Sequence, residues 1–196
     1  MSPRPRKVSD EEVFAATHRA MQRLGPGELT LSEIAAEAGV TAGALVQRFG
    51  SKRELLLKLS QAWAGSGDEF LQELARRHKS PLATLRAYAE CLAELAPSPE
   101  ALARNLAYLQ IDVTDPEFRV HLLASSRATR TGLERLIAAA VAAGELRKIT
   151  DPKALALTVE STLSGALLTW AIYREGKPER WLRERVEAVI KPYLRT

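Results

Sequence analysis

Three times near its start the chain places a hydroxyl residue three positions ahead of a glutamate and follows the pair with an apolar-periodic run. The pairs are Ser9 with Glu12, Thr30 with Glu33, and Ser51 with Glu54. In such a capping box the hydroxyl accepts the amide of the third helical residue, and the carboxylate returns to the amide of the cap. Val8 with Val13 and Leu29 with Ile34 add a hydrophobic staple to the first two. A chain that opens helices so deliberately is committed to an all-α fold. Its composition agrees: Ala, Leu, Glu and Arg recur throughout, and runs of β-branched residues are nearly absent. Apolar content of 46% is ample for a core, and 196 residues fit one large domain or a small one fused to a larger one.

Punctuation between the caps divides the chain. A first helix is expected over 10–24, burying Val13, Phe14, Thr17, Ala20, Met21 and Leu24, with the GPG of Gly25 to Gly27 ending it. A second covers 31–38, with Leu31, Ile34, Ala35 and Ala38 on one stripe. Gly39 closes it, Thr41 caps a third helix reaching Phe49, Gly50 interrupts, and Ser51 opens a fourth. The fourth either continues through Gly65 and Gly67 to Arg77 or breaks there. Further helices are expected over 82–95, 100–111, 116–143 and 152–173, and one more after Gly176-Lys177-Pro178 ends near Leu194. The total is about nine.

Several function classes drop out early. Cys91 is the single cysteine, so neither an internal disulfide nor a thiolate metal cluster can form. His18, His78 and His121 match no metal-ligand spacing, and Ser125, Ser126 and Cys91 lack a base-and-orienter arrangement. No enzyme, metal or cofactor is expected. The N-terminal MSPRPRKVSDEE has no apolar core and cannot be a secretory signal, and LSGALLTWAIY, at 163–173, is too short to span a bilayer. A cytoplasmic protein without a membrane partner is the expectation. The net charge of +4 permits nucleic acid but does not identify it.

The second and third helices, joined by a tight glycine turn, have the outline of a helix-turn-helix, although a plain helical hairpin in a bundle shares it. Val40 would plug the turn, with Leu45 and Phe49 facing the core. Thr41, Ala42, Gly43, Ala44, Gln47 and Arg48 then face outward. Small residues at a helix N-terminus let its backbone approach a major groove. Amides at Thr41 to Gly43 and Thr30 to Ser32 can meet phosphates, while Gln47 and Arg48 can read base edges. Lys52 and Arg53 suit backbone charges.

The stretch TLSEIAAEAGVTAGALVQRFGSKRELLLKL resembles the DNA-binding domain of the TetR family of bacterial transcriptional regulators through about Leu59. That resemblance implies a helix-turn-helix domain at 1–50, which includes a basic N-terminal arm at 1–8, and a helical effector-binding and dimerisation domain at 51–196. It implies a homodimer on a palindromic double-stranded DNA operator, and a repressor released by a small-molecule effector; an activator, or a regulator that needs no ligand, is the alternative. A protein-interaction module is another. By position, Thr30 and Thr41 match the phosphate-contacting hydroxyls, Gly43 the close-approach site, Gln47 and Arg48 the base readers, and Lys52 the phosphate-binding lysine. Ala42 and Val46 complete the set, but Val46 stands where the family usually has tyrosine, and Gly50 where asparagine or proline is frequent. Arg4, Arg6 and Lys7 either enter a flanking minor groove or form a solubilising tail.

For the larger domain, Trp63, Phe70, Tyr88, Cys91, Leu92, Tyr108, Phe118 and His121 are the candidate lining of an effector pocket, resting partly on family position. The mix suits an apolar or aromatic ligand. Resemblance also places the last two helices in a dimeric bundle, with Leu167, Leu168, Trp170, Ile172, Trp181, Val186, Val189, Ile190 and Tyr193 as its apolar residues, although such faces also suit a monomer core.

Overall fold

The computed structural model describes residues 8–195, so the basic arm at Arg4, Arg6 and Lys7 lies outside the described residues. Ten α-helices follow one another: α1 (Asp10–Arg23), α2 (Leu31–Ala38), α3 (Ala42–Phe49), α4 (Lys52–Trp63), α5 (Ser66–Arg77), α6 (Pro81–Glu94), α7 (Pro99–Thr114), α8 (Pro116–Ala142), α9 (Pro152–Tyr173) and α10 (Pro178–Ile190). A single 3-10 turn, Lys191–Tyr193, follows α10. The extra helix relative to expectation comes from a break at Ala64 and Gly65, so 52–77 is two helices.

Local chemistry sets most of these boundaries. Ser9 and Glu12 form the complete capping box, while Thr30 and Ser51 each accept the amide of the third helical residue. Ser80, Ser98, Asp115 and Asp151 cap α6 to α9, each ahead of a proline in the first turn, where a missing N–H costs nothing. One expected terminator works differently. Helix α1 ends with Leu24 in an extended conformation, and neither Gly25 nor Gly27 takes a positive φ.

Two apolar clusters organise the packing. Val13, Ala20, Leu29, Ile34, Ala35, Leu45 and Phe49 from the first three helices and the loop before α2 form the first, completed by Leu55 of α4 and Tyr108 of α7. Phe14, Met21 and Leu24, expected inside, are only partly buried at its edge, whereas Ala16 is fully enclosed. The second cluster joins α5, α6, α8, α9 and α10 around Leu85, Leu133, Ile137, Leu155, Leu163 and Leu182. Helices α5 and α8 cross very closely. A Cβ on Gly67 would collide with the Thr129 side chain and lie 3.2 Å from its Cα; one on Gly132 would lie 2.7 Å from Leu71 Cδ1. Gly67 is therefore a packing glycine, not a helix stop.

The two clusters are tied together at a joint. The Tyr108 hydroxyl donates to the Leu24 carbonyl at 2.9 Å, and Arg104 Nε donates to the Gln22 carbonyl at 2.9 Å. Arg53, at the start of α4, reaches Asp115 at 2.8 Å and Glu117 at 2.7 Å, with its guanidinium 5.5 Å from the Phe118 ring centroid. Burial, with a smaller effect from Glu28, pushes the Tyr108 phenol up to about 12, so it remains a donor. Tyr108→Phe removes this bond and strands the Leu24 carbonyl, and a loss of about 1 kcal/mol is expected in urea unfolding. A midpoint equal to wild type would show that the bond contributes nothing.

From sequence, 163–173 is too short to cross a membrane; in the structure it is the end of the 22-residue α9, which is long and apolar enough by length and composition. Its Leu155, Ala156, Val159, Leu163, Ala166 and Trp170 are nevertheless buried within the protein itself.

Candidate nucleic-acid interface

Helix α2 ends on Gly39 in the left-handed region (φ 68°, ψ 32°), a conformation that a Cβ would strain. The Val40 amide then donates to the Ala35 carbonyl at 3.0 Å, which turns the chain sharply into α3. Leu45 and Phe49 are buried in the first cluster, so the opposite face of α3 is determined by the helical period. Thr41, Gly43, Ala44, Val46, Gln47 and Arg48 are exposed there, whereas Ala42 is half-buried against the cluster.

That face offers a specific chemistry. The Thr30 and Thr41 hydroxyls accept the amides of Glu33 at 3.2 Å and Ala44 at 3.1 Å. A hydroxyl that accepts in this way still has its own proton to donate. The first amides of α2 and α3 point out of their helices, as anion-binding termini require. At Gly43 the nearest atom to an added Cβ is Thr41 Oγ1 at 3.9 Å, so no contact among the described residues demands glycine. Val46 is 49% exposed and places an isopropyl group, not a hydroxyl, on the same face.

The basic residues are more engaged than the sequence suggests. Arg48 donates to the Val8 carbonyl at 2.7 Å, pairs with Asp10, and lies 5.3 Å from the Phe49 ring centroid. It straps the start of α1 onto α3, and reading a base would require leaving Asp10. Gln47 is the less constrained of the two. Lys52 Nζ donates to the carbonyls of Pro26 at 3.0 Å and Leu29 at 2.7 Å, holding the loop before α2 against α4. A third N–H remains for a phosphate. Arg53 is turned away to the joint, where Asp115 and then Glu117 hold its guanidinium above the ordinary arginine value. Sequence spacing carries no sign of these partners, because most of them lie far away along the chain.

Lys52→Met leaves both carbonyls without their charged donor, and unfolding should report a loss of about 1–3 kcal/mol. Wild-type stability in that variant would mean that the lysine serves only external anions.

The candidate pocket residues separate into two places. Trp63, Tyr108 and Phe118 line a cavity of about 110 Å³ at the joint, together with Met21, Leu56, Leu59, Ser60, Ile111 and Asp112. Tyr88 and Leu92 line another of about 210 Å³ between α6, α8 and α9, with Ser125, Ser126, Thr129, Glu160, Leu163, Ser164 and Leu167. Phe70 packs its ring 6.4 Å from that of Tyr88, while Cys91 and His121 line neither cavity. Burial, then Glu160, pushes the Tyr88 phenol up to about 12. The Cys91 thiol is likewise pushed up by burial, which makes it a poor nucleophile.

At the far end, Trp170, Val186 and Ile190 are buried within the chain itself, and Leu167, Trp181, Val189 and Tyr193 are partly buried against its core. They join α9 to α10 within one chain. The exposed row of α9 is a different one: Leu157, Ser161, Ser164, Gly165, Leu168 and Ile172.

A two-helix reader on a three-helix head, joined to a larger helical body, defines the class of helix-turn-helix transcriptional regulators. Residues 13–59 match the family described as "Bacterial regulatory proteins, tetR family", and residues 105–186 match "Tetracyclin repressor-like, C-terminal domain". The chain belongs to the tetR family: it is a DNA-binding transcriptional regulator and not an enzyme. It is similar to the HTH-type transcriptional regulator TtgR of Pseudomonas putida, 26% identical over 94% of this chain and 93% of that one. Among solved structures it shares its fold with SmeT, the repressor of the Stenotrophomonas maltophilia multidrug efflux pump SmeDEF. That match has a TM-score of 0.67 and 22% identity over 96% of this chain and 92% of that one. FadR of Bacillus subtilis, solved with stearoyl-CoA, matches with a TM-score of 0.70 and 17% identity over 93% and 98%.

Proposed function

We propose that this regulator is a cytoplasmic homodimeric repressor that grips a palindromic operator through α3 and releases it when a small molecule occupies the larger domain. The observation that carries the reading is the outward face of α3. It presents two capping hydroxyls nearby, a glycine with no internal reason to be one, and Gln47, all on a helix whose other side is locked into the core. In this reading Thr30 and Thr41 meet phosphates, Gly43 and Ala44 allow close approach, and Gln47 reads base edges. Val46 makes van der Waals contact where a hydroxyl anchor is missing. Arg48 reads a base only in exchange for Asp10, and Lys52 offers one proton to a phosphate while it holds the loop.

The reading head is assigned to residues 1–50 and the effector and dimerisation body to 51–196. The effector site is the cavity beside Tyr88 and Leu92, whose serine and threonine lining suits an apolar ligand carrying one or two hydrogen-bonding groups. A ligand there bears on α6, α8 and α9 and changes the head through α8, whose first turn holds Arg53 of α4. Release requires that the ligand bind one arrangement of the joint better than the other. Mobility shift with DNA from upstream of the gene, with and without candidate ligands, tests this. Sequence-preferring binding at physiological salt that a ligand weakens is the expected result; binding without sequence preference overturns the reading.

A further inference from the structure

The end of the body remote from the reading head carries charges that neither the operator nor the effector reading uses. Helix α8 is 27 residues long, so its C-terminus stands about 40 Å from the joint at Asp115. There the turn after α8 and the tail after α10 are zipped together. The Arg147 amide donates to the Tyr193 carbonyl at 2.8 Å, and the Arg195 amide to the Glu145 carbonyl at 3.2 Å. The two segments form a cavity of about 330 Å³ lined by Arg147, Lys148 and Arg195 beside Val141 and Leu146. Arg195 packs so closely that a Cβ on Gly144 would lie 3.0 Å from its Nη1.

All three cations are exposed, and among the described residues no carboxylate pairs with any of them. Elsewhere on the body most arginines face an acid: Arg76 and Arg77 share Glu73, Arg86 reaches Glu187, and Arg130 reaches Glu160. The nearest acids along these segments are spent on helix starts. Glu145 accepts the Leu82 amide at 2.9 Å, and Asp151 the Lys153 amide at 2.9 Å. A helix C-terminus ordinarily repels an anion. Here the carbonyls of Ala139, Ala140 and Val141 already accept the amides that follow the helix, which blunts that negative end.

We propose that this cavity binds the diphosphate group of a small molecule, at a site apart from both the operator face and the cavity beside Tyr88. A guanidinium is a planar fork that matches two phosphate oxygens at once, and a lysine adds a point charge. A lone carboxylate would satisfy one fork and leave two cations unmatched. A diphosphate carries charge on both phosphoryl groups, so each arginine can face one of them with an oxygen left for Lys148. A metal cation is repelled by the same three charges, and a neutral ligand leaves them without a partner. The volume is at the lower end of small-ligand pockets, roughly 300–1,000 Å³, which suits a compact ligand whose organic part rests on Val141 and Leu146.

Inorganic pyrophosphate is the probe, orthophosphate its match with one phosphoryl group, and the backbone amide resonances of Gly144 and Lys148 in the full chain the readout, at physiological salt without divalent cations. Pyrophosphate should shift both resonances saturably and bind at least about tenfold more tightly than orthophosphate, the scale of one further hydrogen bond between charged groups. Arg147→Gln and Arg195→Gln, both at exposed positions, should each weaken it about tenfold while the thermal melt stays that of the wild type. Lys177→Gln removes the same charge from an exposed lysine at the start of α10 and should change nothing. No saturable shift, equal affinity for the two anions, or undiminished affinity in either arginine variant would each overturn the proposal. Equal weakening by Lys177→Gln would also overturn it, because a diffuse field of charge would then suffice. A short thymidine oligonucleotide separates the sources of phosphate, and tighter binding of it at Gly144 and Lys148 than of pyrophosphate would assign the site to a nucleic-acid backbone and overturn the small-molecule reading. None of these results depends on operator binding, so the regulator reading stands or falls separately.

Discussion

Gly43→Leu is expected to abolish operator binding while the protein stays folded. A Cβ at this position meets nothing closer than 3.9 Å, so the free protein has room for a side chain that projects outward. Leucine is also the better helix former, by about 0.5 kcal/mol or more. Against DNA the same side chain stands between the N-terminus of α3 and the groove floor, and it lifts Gln47 away from the bases. Breaking one bidentate pairing with a base costs about 1–3 kcal/mol, and a two-fold dimer breaks it twice, so affinity should fall roughly thirtyfold or more. Fluorescence anisotropy with an operator fragment and a thermal melt separate the two effects. Near-native affinity would mean that α3 does not enter the groove by this end, and a collapsed melt would mean that Gly43 is structural after all.

Leu168→Glu is expected to give a monomer that no longer holds a full operator. Leu168 is 47% exposed in the single chain, and Ile172, one turn on, is 67% exposed. They share a face with Leu157, Ser164 and Gly165, and a Cβ on Gly165 would meet no atom within 4 Å, leaving space for a partner helix to approach. Around a two-fold axis a residue on this face lies close to its own copy or to a near neighbour, so the substitution buries two negative charges in an apolar seam. An unpaired buried charge costs several kcal/mol, enough to dissociate a micromolar dimer. Light scattering should report one chain's mass at about 10 µM, with operator affinity falling to that of a single half-site. A variant that keeps the wild-type mass and binds DNA normally would place the interface elsewhere.

Much of this protein is legible locally. Helices α2 and α3 have the expected bounds because each is set by a hydroxyl cap on one side and a glycine or Phe-Gly stop on the other, interactions spanning only a few residues. The proline starts of α8 and α9 are legible for the same reason. The face proposed for the dimer is harder to read, since the small hydroxyl residues of α9 are scattered among its apolar ones and mark no single polar side. A helix of that kind gives no periodic signal to separate the face that packs on α8 and α10 from the one left open, so in sequence Val186 and Ile190 of α10 look equally available. The basic residues pose a similar problem. Arg48, Lys52 and Arg53 look alike as charges beside a recognition helix, yet one straps α1, one holds a loop, and one is pinned to Asp115.

Capping, helical period and glycine geometry act over short stretches of chain, and for that reason the all-α class, the helix-turn-helix and the family are all written in the order of residues. Three other outcomes exist only once the chain is folded: which cations are already spent on the protein, that the aromatic residues line two cavities and not one, and that Gly67 and Gly132 bring α5 and α8 together. Those outcomes depend on pairs of residues far apart in the chain, and no local preference encodes which distant surface a side chain will meet.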